Sequence, residues 1–148
     1  MVNKYFDREL FAANDKLAKD CTKKLLDKRK YSIKENPKKR GVDLLVYNKG
    51  EHIFNIECEI KRVWKDKEFK YDTVQFPERK EKYALLEKPT YFVMFNADQS
   101  QYLVVRDKDL LKSPKAEVPN KFVYKGEYFF QVPLKKVFMN DIKKAIKE

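Results

Sequence analysis

Three glycines, two cysteines, one histidine and one tryptophan among 148 residues exclude several kinds of chemistry at the outset. Gly41, Gly50 and Gly126 are too few and too scattered for a phosphate-cradling loop, which needs glycines close together so that backbone N–H groups converge on an anion. Cys21 and Cys58 form no CxxC or Cys/His cluster of zinc-site spacing, and read as buried thiols in a reducing compartment. His52 sits beside a turn with no partner in sequence, so a surface role is expected. No apolar run approaches the roughly 20 residues of a membrane span. The opening MVNKYFDREL lacks a signal-peptide core, and the expected location is the cytoplasm, prokaryotic or that of a virally infected host.

What is abundant is positive charge and aromatic side chains. Lys and Arg number 34 against 23 Asp and Glu, a net charge of +11, and this excess favours a polyanionic partner, nucleic acid first. Aromatics make up 14% and hydrophobic residues 43%, enough for one self-sufficient core and too short a chain for two, so a single domain is expected.

Phe6, Leu10, Ala13, Leu17, Cys21 and Leu25 recur at helical spacing and predict an amphipathic first helix packed on a sheet. A short strand over Tyr31–Lys34 follows. Val42–Tyr47 is apolar on both faces apart from Asp43, and Asn48, Lys49 and Gly50 turn it into a hairpin. The second arm, Ile53–Val63, alternates, with Phe54, Ile56, Cys58 and Ile60 on one face and Asn55, Glu57, Glu59 and Lys61 on the other. Beyond it the pattern predicts a helix from Pro77 to about Glu87, strands over Tyr91–Asn96 and Gln101–Arg106, and a helical turn over Asp107–Leu111. Then come an exposed loop over Ser113–Asn120, a strand over Phe122–Val132 broken near Gly126, and a terminal helix over Met139–Lys147.

Residues two apart on a strand point the same way, so Glu57, Glu59 and Lys61 form one polar row, and the hairpin brings Asp43 near it. Adjacent carboxylates repel unless a cation sits between them. A hard divalent ion such as Mg²⁺ prefers carboxylate oxygen, and a neighbouring lysine can then stabilise a nucleophilic water or developing phosphorane charge. The bland alternative is a solvated hairpin face. Against it stands Asp43, a lone carboxylate in an apolar strand, costly unless paired, hydrogen-bonded or metal-bound.

GVDLLVY followed by FNIECEIKRVW resembles the core of the PD-(D/E)xK nuclease superfamily, especially its restriction-endonuclease-like and Holliday-junction-resolvase-like members. The resemblance covers about residues 5–106, leaving 107–148 as a C-terminal extension. It implies an α/β fold, a restriction-endonuclease-like mixed sheet flanked by helices. It also implies Mg²⁺ (or Mn²⁺) on Asp43 and Glu59, with Lys61 attending the attacking water. Val42 stands where the family often has proline. Glu57 would assist a second metal or hold Lys61. Many resolvase-like members carry a glutamate on the first helix; here the helical wheel offers Asn14 on the apolar arc and turns Asp15 away.

In VQFPERKEKYALL, Gln75, Arg79 and Lys80 are candidates for contact with the nucleic-acid backbone, the alternative being a solvated helix. Trp64, Phe69 and Tyr71, interleaved with Arg62, Lys65, Lys67 and Lys70, are candidates for stacking on unpaired bases, with core packing expected of at least two. The resulting expectation is a metal-dependent nuclease cutting DNA, with branched, recombination or repair intermediates among the substrates. The alternative is an inactive nucleic-acid-binding accessory protein of the same fold. Resolution of a symmetric junction would require two active sites and hence a homodimer.

Overall fold

A computed structural model describes residues 8–27, 31–38, 41–118 and 127–147. Among these residues the chain runs through helix α1 (Arg8–Leu26), strands β1 (Ser32–Glu35), β2 (Leu44–Asn48), β3 (Glu51–Ile60) and β4 (Thr73–Pro77), and a 3₁₀ turn (Glu78–Lys80). It continues through α2 (Glu81–Ala84), β5 (Thr90–Phe95), β6 (Gln101–Arg106), α3 (Asp107–Leu111), β7 (Lys115–Val118), β8 (Glu127–Pro133), β9 (Phe138–Asp141) and α4 (Ile142–Lys147).

The result is a single-domain α/β fold on a mixed six-stranded sheet of order β1-β2-β3-β5-β6-β9, beside a three-stranded sheet of order β4-β8-β7. In the larger sheet only β3 and β5 run parallel. A parallel neighbour cannot be reached by a tight turn, and the crossover here carries β4, the 3₁₀ turn and α2. The β2–β3 hairpin closes on Lys49 (φ 52°) and Gly50 (φ 82°), two consecutive left-handed residues whose twist matches that of the flanking strands.

The larger sheet is buried on both faces. On one, Leu44, Val46, Ile56, Cys58, Val93, Phe95 and Tyr102 pack with Ala18 of α1 and with Ile142 and Ala145 of α4. On the other, Phe92, Met94, Leu103 and Val105 meet Val74, Phe76, Phe130 and Val132 of the smaller sheet, with Trp64, Phe69, Ala84 and Leu110 filling the flank. Among the described residues no helix is long and apolar enough to cross a membrane.

Several expectations change here. The helix drawn from Pro77 is only a 3₁₀ turn and one turn of α-helix, because Thr73–Pro77 is drawn out as a strand against β8. The loop over Ser113–Asn120 contains β7, which pairs with β8. The terminal helix starts at Ile142, since Phe138–Asp141 is taken by pairing with β6. Phe6 and Gly126 lie outside the described residues. The inward stripe of α1 is also rotated. Ala18 and Thr22 are fully buried, whereas Ala13 and Leu17 are exposed, because small side chains let the helix approach the sheet closely.

Candidate active site

The site forms where β2 begins and β3 ends. Asp43 lies one residue before β2 instead of within it. The approach to it is pinned: the Asn36 N–H donates to the Asp43 carbonyl at 3.1 Å, and the Gly41 N–H donates to the Lys38 carbonyl at 3.1 Å. A Cβ at Gly41 would run into the Asn36 amide. The Leu44–Ile56 pairing then sets Asp43 opposite Glu57, so both reach the same end of the sheet.

Two contacts lock this corner. The Asp43 N–H donates to Glu57 Oε1 at 2.8 Å, and the Cys58 N–H donates to Asp43 Oδ2 at 3.0 Å. The second oxygen of Glu57 accepts from Lys80 Nζ at 2.7 Å, an ion pair between a buried carboxylate and a largely covered ammonium. Glu57 therefore holds Lys80 and the Asp43 backbone, and not Lys61. Asp43 Oδ1 and both oxygens of Glu59 have no hydrogen-bond or ion-pair partner among the described residues.

The electrostatics register this crowding. Burial, with the Asp43 charge adding to it, pushes the Glu57 carboxyl up to about 7 against the pull of Lys80. Burial likewise raises Asp43; the Cys58 N–H opposes this, and Asp15 adds to it. Glu59 is exposed by accessible area, yet desolvation is the largest cause of its upward shift, as for a carboxylate open to solvent on one side and ringed by protein on the others. Burial pulls Lys80 down, but Glu57, Glu59 and Asp43 outweigh it and hold the ammonium above its ordinary value. Desolvation is thus the main cause of the raised carboxyls at this corner, with like charge adding to it and Lys80, Lys61, Lys19 and Arg79 opposing it.

Of the other candidates, Lys61 continues the β3 ladder, its N–H donating to the Phe95 carbonyl at 2.8 Å, and its Nζ lies 5.5 Å from the Tyr71 ring centroid. Arg79 is exposed, within electrostatic range of Glu59. Gln75 is turned away, donating to Gln131 Oε1 at 3.2 Å across the smaller sheet. Asn14 is half-buried with no contact to the carboxylates. The rotated helix instead brings Asp15, paired with Lys19 at 2.9 Å, into range of Asp43. The sequence holds no local signal for the Lys80–Glu57 pair, whose partners are 23 residues apart, nor for Asp15 and Lys19, whose approach depends on the helix rotation.

Among the described residues no three His, Cys, Asp or Glu side chains are grouped so as to hold a metal ion. The donor chemistry fits an open hard-cation site instead. Mg²⁺ commonly takes one or two protein carboxylates and completes its shell with water and phosphate, and Asp43 and Glu59 offer oxygens that have no hydrogen-bond partner among the described residues. His52 is accounted for elsewhere, its Nε2 2.8 Å from Asn55 Oδ1 and its ring on Tyr47. The cysteines are free thiols, Cys58 buried and Cys21 half-buried. No protein-family model matches this chain, and no curated protein matches it significantly.

Proposed function

We propose that this chain is a divalent-metal-dependent nuclease of the PD-(D/E)xK kind, hydrolysing phosphodiester bonds in DNA. The observation that carries the reading is the corner itself: unpartnered oxygens on Asp43 and Glu59, crowded by Glu57 and flanked by Lys61 and Lys80. The element order supports it too. A helix, three antiparallel strands and a crossover to a strand parallel with the third are compatible with a restriction-endonuclease-like plan.

In this reading Asp43 and Glu59 hold the cation, Mg²⁺ or Mn²⁺, which when bound polarises the phosphate and acidifies a water. Lys61 presents its ammonium beside Glu59, where it orients the attacking water and balances charge developing on phosphorus. Glu57, tied to the Asp43 amide and to Lys80, keeps Asp43 in position. Arg79 and the wider surplus of basic residues meet the phosphate backbone.

A second reading, an inactive nucleic-acid-binding module, draws on one feature. Lys80 already occupies Glu57, leaving two carboxylates for a metal. Incubating wild type and Lys61→Ala with plasmid, linear, single-stranded and four-way-junction DNA, and with RNA, in Mg²⁺, Mn²⁺ or EDTA separates the two. The nuclease reading expects metal-dependent cleavage that Lys61→Ala abolishes; binding without cleavage selects the module, and neither activity removes both.

A further inference from the structure

The basic and aromatic segment after β3 resolves into two kinds of aromatic residue. Trp64 and Phe69 are buried, their rings edge to face with centroids 5.2 Å apart. Tyr71 is 46% exposed. It is nonetheless held: Phe69 meets its ring at 64° with centroids 5.3 Å apart, and Lys61 Nζ lies 5.5 Å from its centroid. Its hydroxyl has no hydrogen-bond partner among the described residues. A half-exposed amphipathic ring held by Phe69 and by the Lys61 ammonium over it loses little freedom when another flat group settles on its exposed part.

The position of the ring matters more than its exposure. Lys61 is the residue of the polar row that follows Glu59, about 7 Å along the chain for two residues of extended backbone. Tyr71 therefore stands against the lysine that borders the unpartnered carboxylates. The surrounding segment, residues 61–72, carries five basic residues against three acidic ones, and Lys70 is partly neutralised by Asp66 at 3.1 Å. A half-exposed aromatic ring under a cation, near a corner that would draw phosphate through a bound divalent ion, matches one chemistry in particular. It fits a nucleotide whose base is out of the duplex, since a paired base offers no open π-face to a side chain.

We infer that Tyr71 is a specificity residue that stacks on an unpaired nucleobase next to the phosphate held at the Asp43–Glu59 corner. The preferred substrate class is then nucleic acid with a single-stranded or unstacked nucleotide at the cut position: a single strand, a flap, a branch point or a frayed end. This deepens the nuclease reading and rests on it for the placement of the phosphate. It adds which feature of the polymer the site selects.

The test needs no turnover. Fluorescence anisotropy with Ca²⁺ in place of Mg²⁺ measures binding of the full chain to a labelled 12-nucleotide single strand and to the matching 12-base-pair duplex, for wild type, Tyr71→Ala and Tyr71→Phe. Tyr71→Ala is expected to weaken single-strand binding by about 5- to 150-fold, the range one lost base stack spans, and to leave duplex binding within about twofold. Tyr71→Phe, which keeps the π-face, should bind as wild type does. Thermal melts of all three proteins check that the exposed site tolerates the change. Equal weakening on both ligands, no weakening, failure of phenylalanine to rescue, or no binding by wild type overturns the inference. Tyr71-dependent binding without metal-dependent cleavage would remove the nuclease reading and keep the stacking residue; cleavage without Tyr71 dependence would do the reverse.

Discussion

One face of β3 carries two buried polar residues only two positions apart, Asn55 and Glu57, followed by Glu59, and they are treated in opposite ways. The Asn55 backbone N–H donates to the Pro89 carbonyl at 2.8 Å, its Nδ2 to the Lys88 carbonyl at 3.2 Å, and its Oδ1 meets His52 at 2.8 Å. Every polar atom named there has a partner, so Asn55 stitches β3 to the loop before β5. Glu57 and Glu59 sit on the same strand, one tied to Lys80 and the Asp43 N–H and the other to no hydrogen-bond or ion-pair partner among the described residues. A polar group buried and satisfied serves the fold, whereas a crowded carboxylate with free oxygens reads as a site at rest.

The sharpest way to test that contrast is to remove one residue from each end. Asp43→Asn or Glu59→Gln is expected to lower metal-dependent cleavage on the order of 10²–10³-fold, with circular dichroism and melting little changed. Asn55→Ala should do the opposite. It leaves His52 and the Lys88 carbonyl without their partner and lowers stability by about 1–3 kcal/mol in a urea titration, while cleavage per folded molecule is retained. A smaller effect separates Lys80 from the carboxylates it neutralises. Lys80→Met should reduce turnover by about tenfold, the low end for loss of an outer-shell partner, with Lys80→Arg restoring most of it because the guanidinium still reaches Glu57.

The smallest effect is a pH dependence. The folded Glu57 carboxyl titrates at about 7 against an ordinary 4.5, so between these values the native state holds a proton that the unfolded chain has released. Its contribution to stability is complete below about 4.5 and is lost as pH rises through about 7. Glu57→Gln should therefore flatten the decline in denaturation midpoint between pH 5 and 8, to be read with chemical denaturation across that interval.

Local pattern made some of this legible and tertiary pairing hid the rest. The hairpin was visible because Asn48, Lys49 and Gly50 interrupt two apolar runs and left-handed turns favour such residues, and Lys49 and Gly50 take positive φ. The strand over Gln101–Arg106 was visible as a partner for Tyr91–Asn96 across a polar turn, and the helical turn over Asp107–Leu111 follows it. The smaller sheet was not. Thr73–Pro77 ends in a proline and Lys115–Val118 follows one, so each looks like a loop until β8 supplies the hydrogen bonds. The first helix was misjudged in rotation, because Leu10 and Leu17 outrank Ala18 and Thr22 in hydrophobicity while the sheet selects for small size. That rotation brings Asp15 into electrostatic range of Asp43. The polar row on β3 follows directly from strand period, but which of its members is already partnered depends on Lys80, across the crossover.

The central claim is that the unpartnered oxygens of Asp43 and Glu59 hold a divalent cation, and Mn²⁺ binding followed by electron paramagnetic resonance tests it without substrate. Wild type at pH 8 is expected to take up one Mn²⁺, and Glu59→Gln to weaken that binding by more than the roughly 10- to 100-fold that an outer-shell loss costs. Asn55→Ala should bind as wild type does. Mn²⁺ uptake that is absent in wild type, or undiminished in Glu59→Gln, would contradict the account.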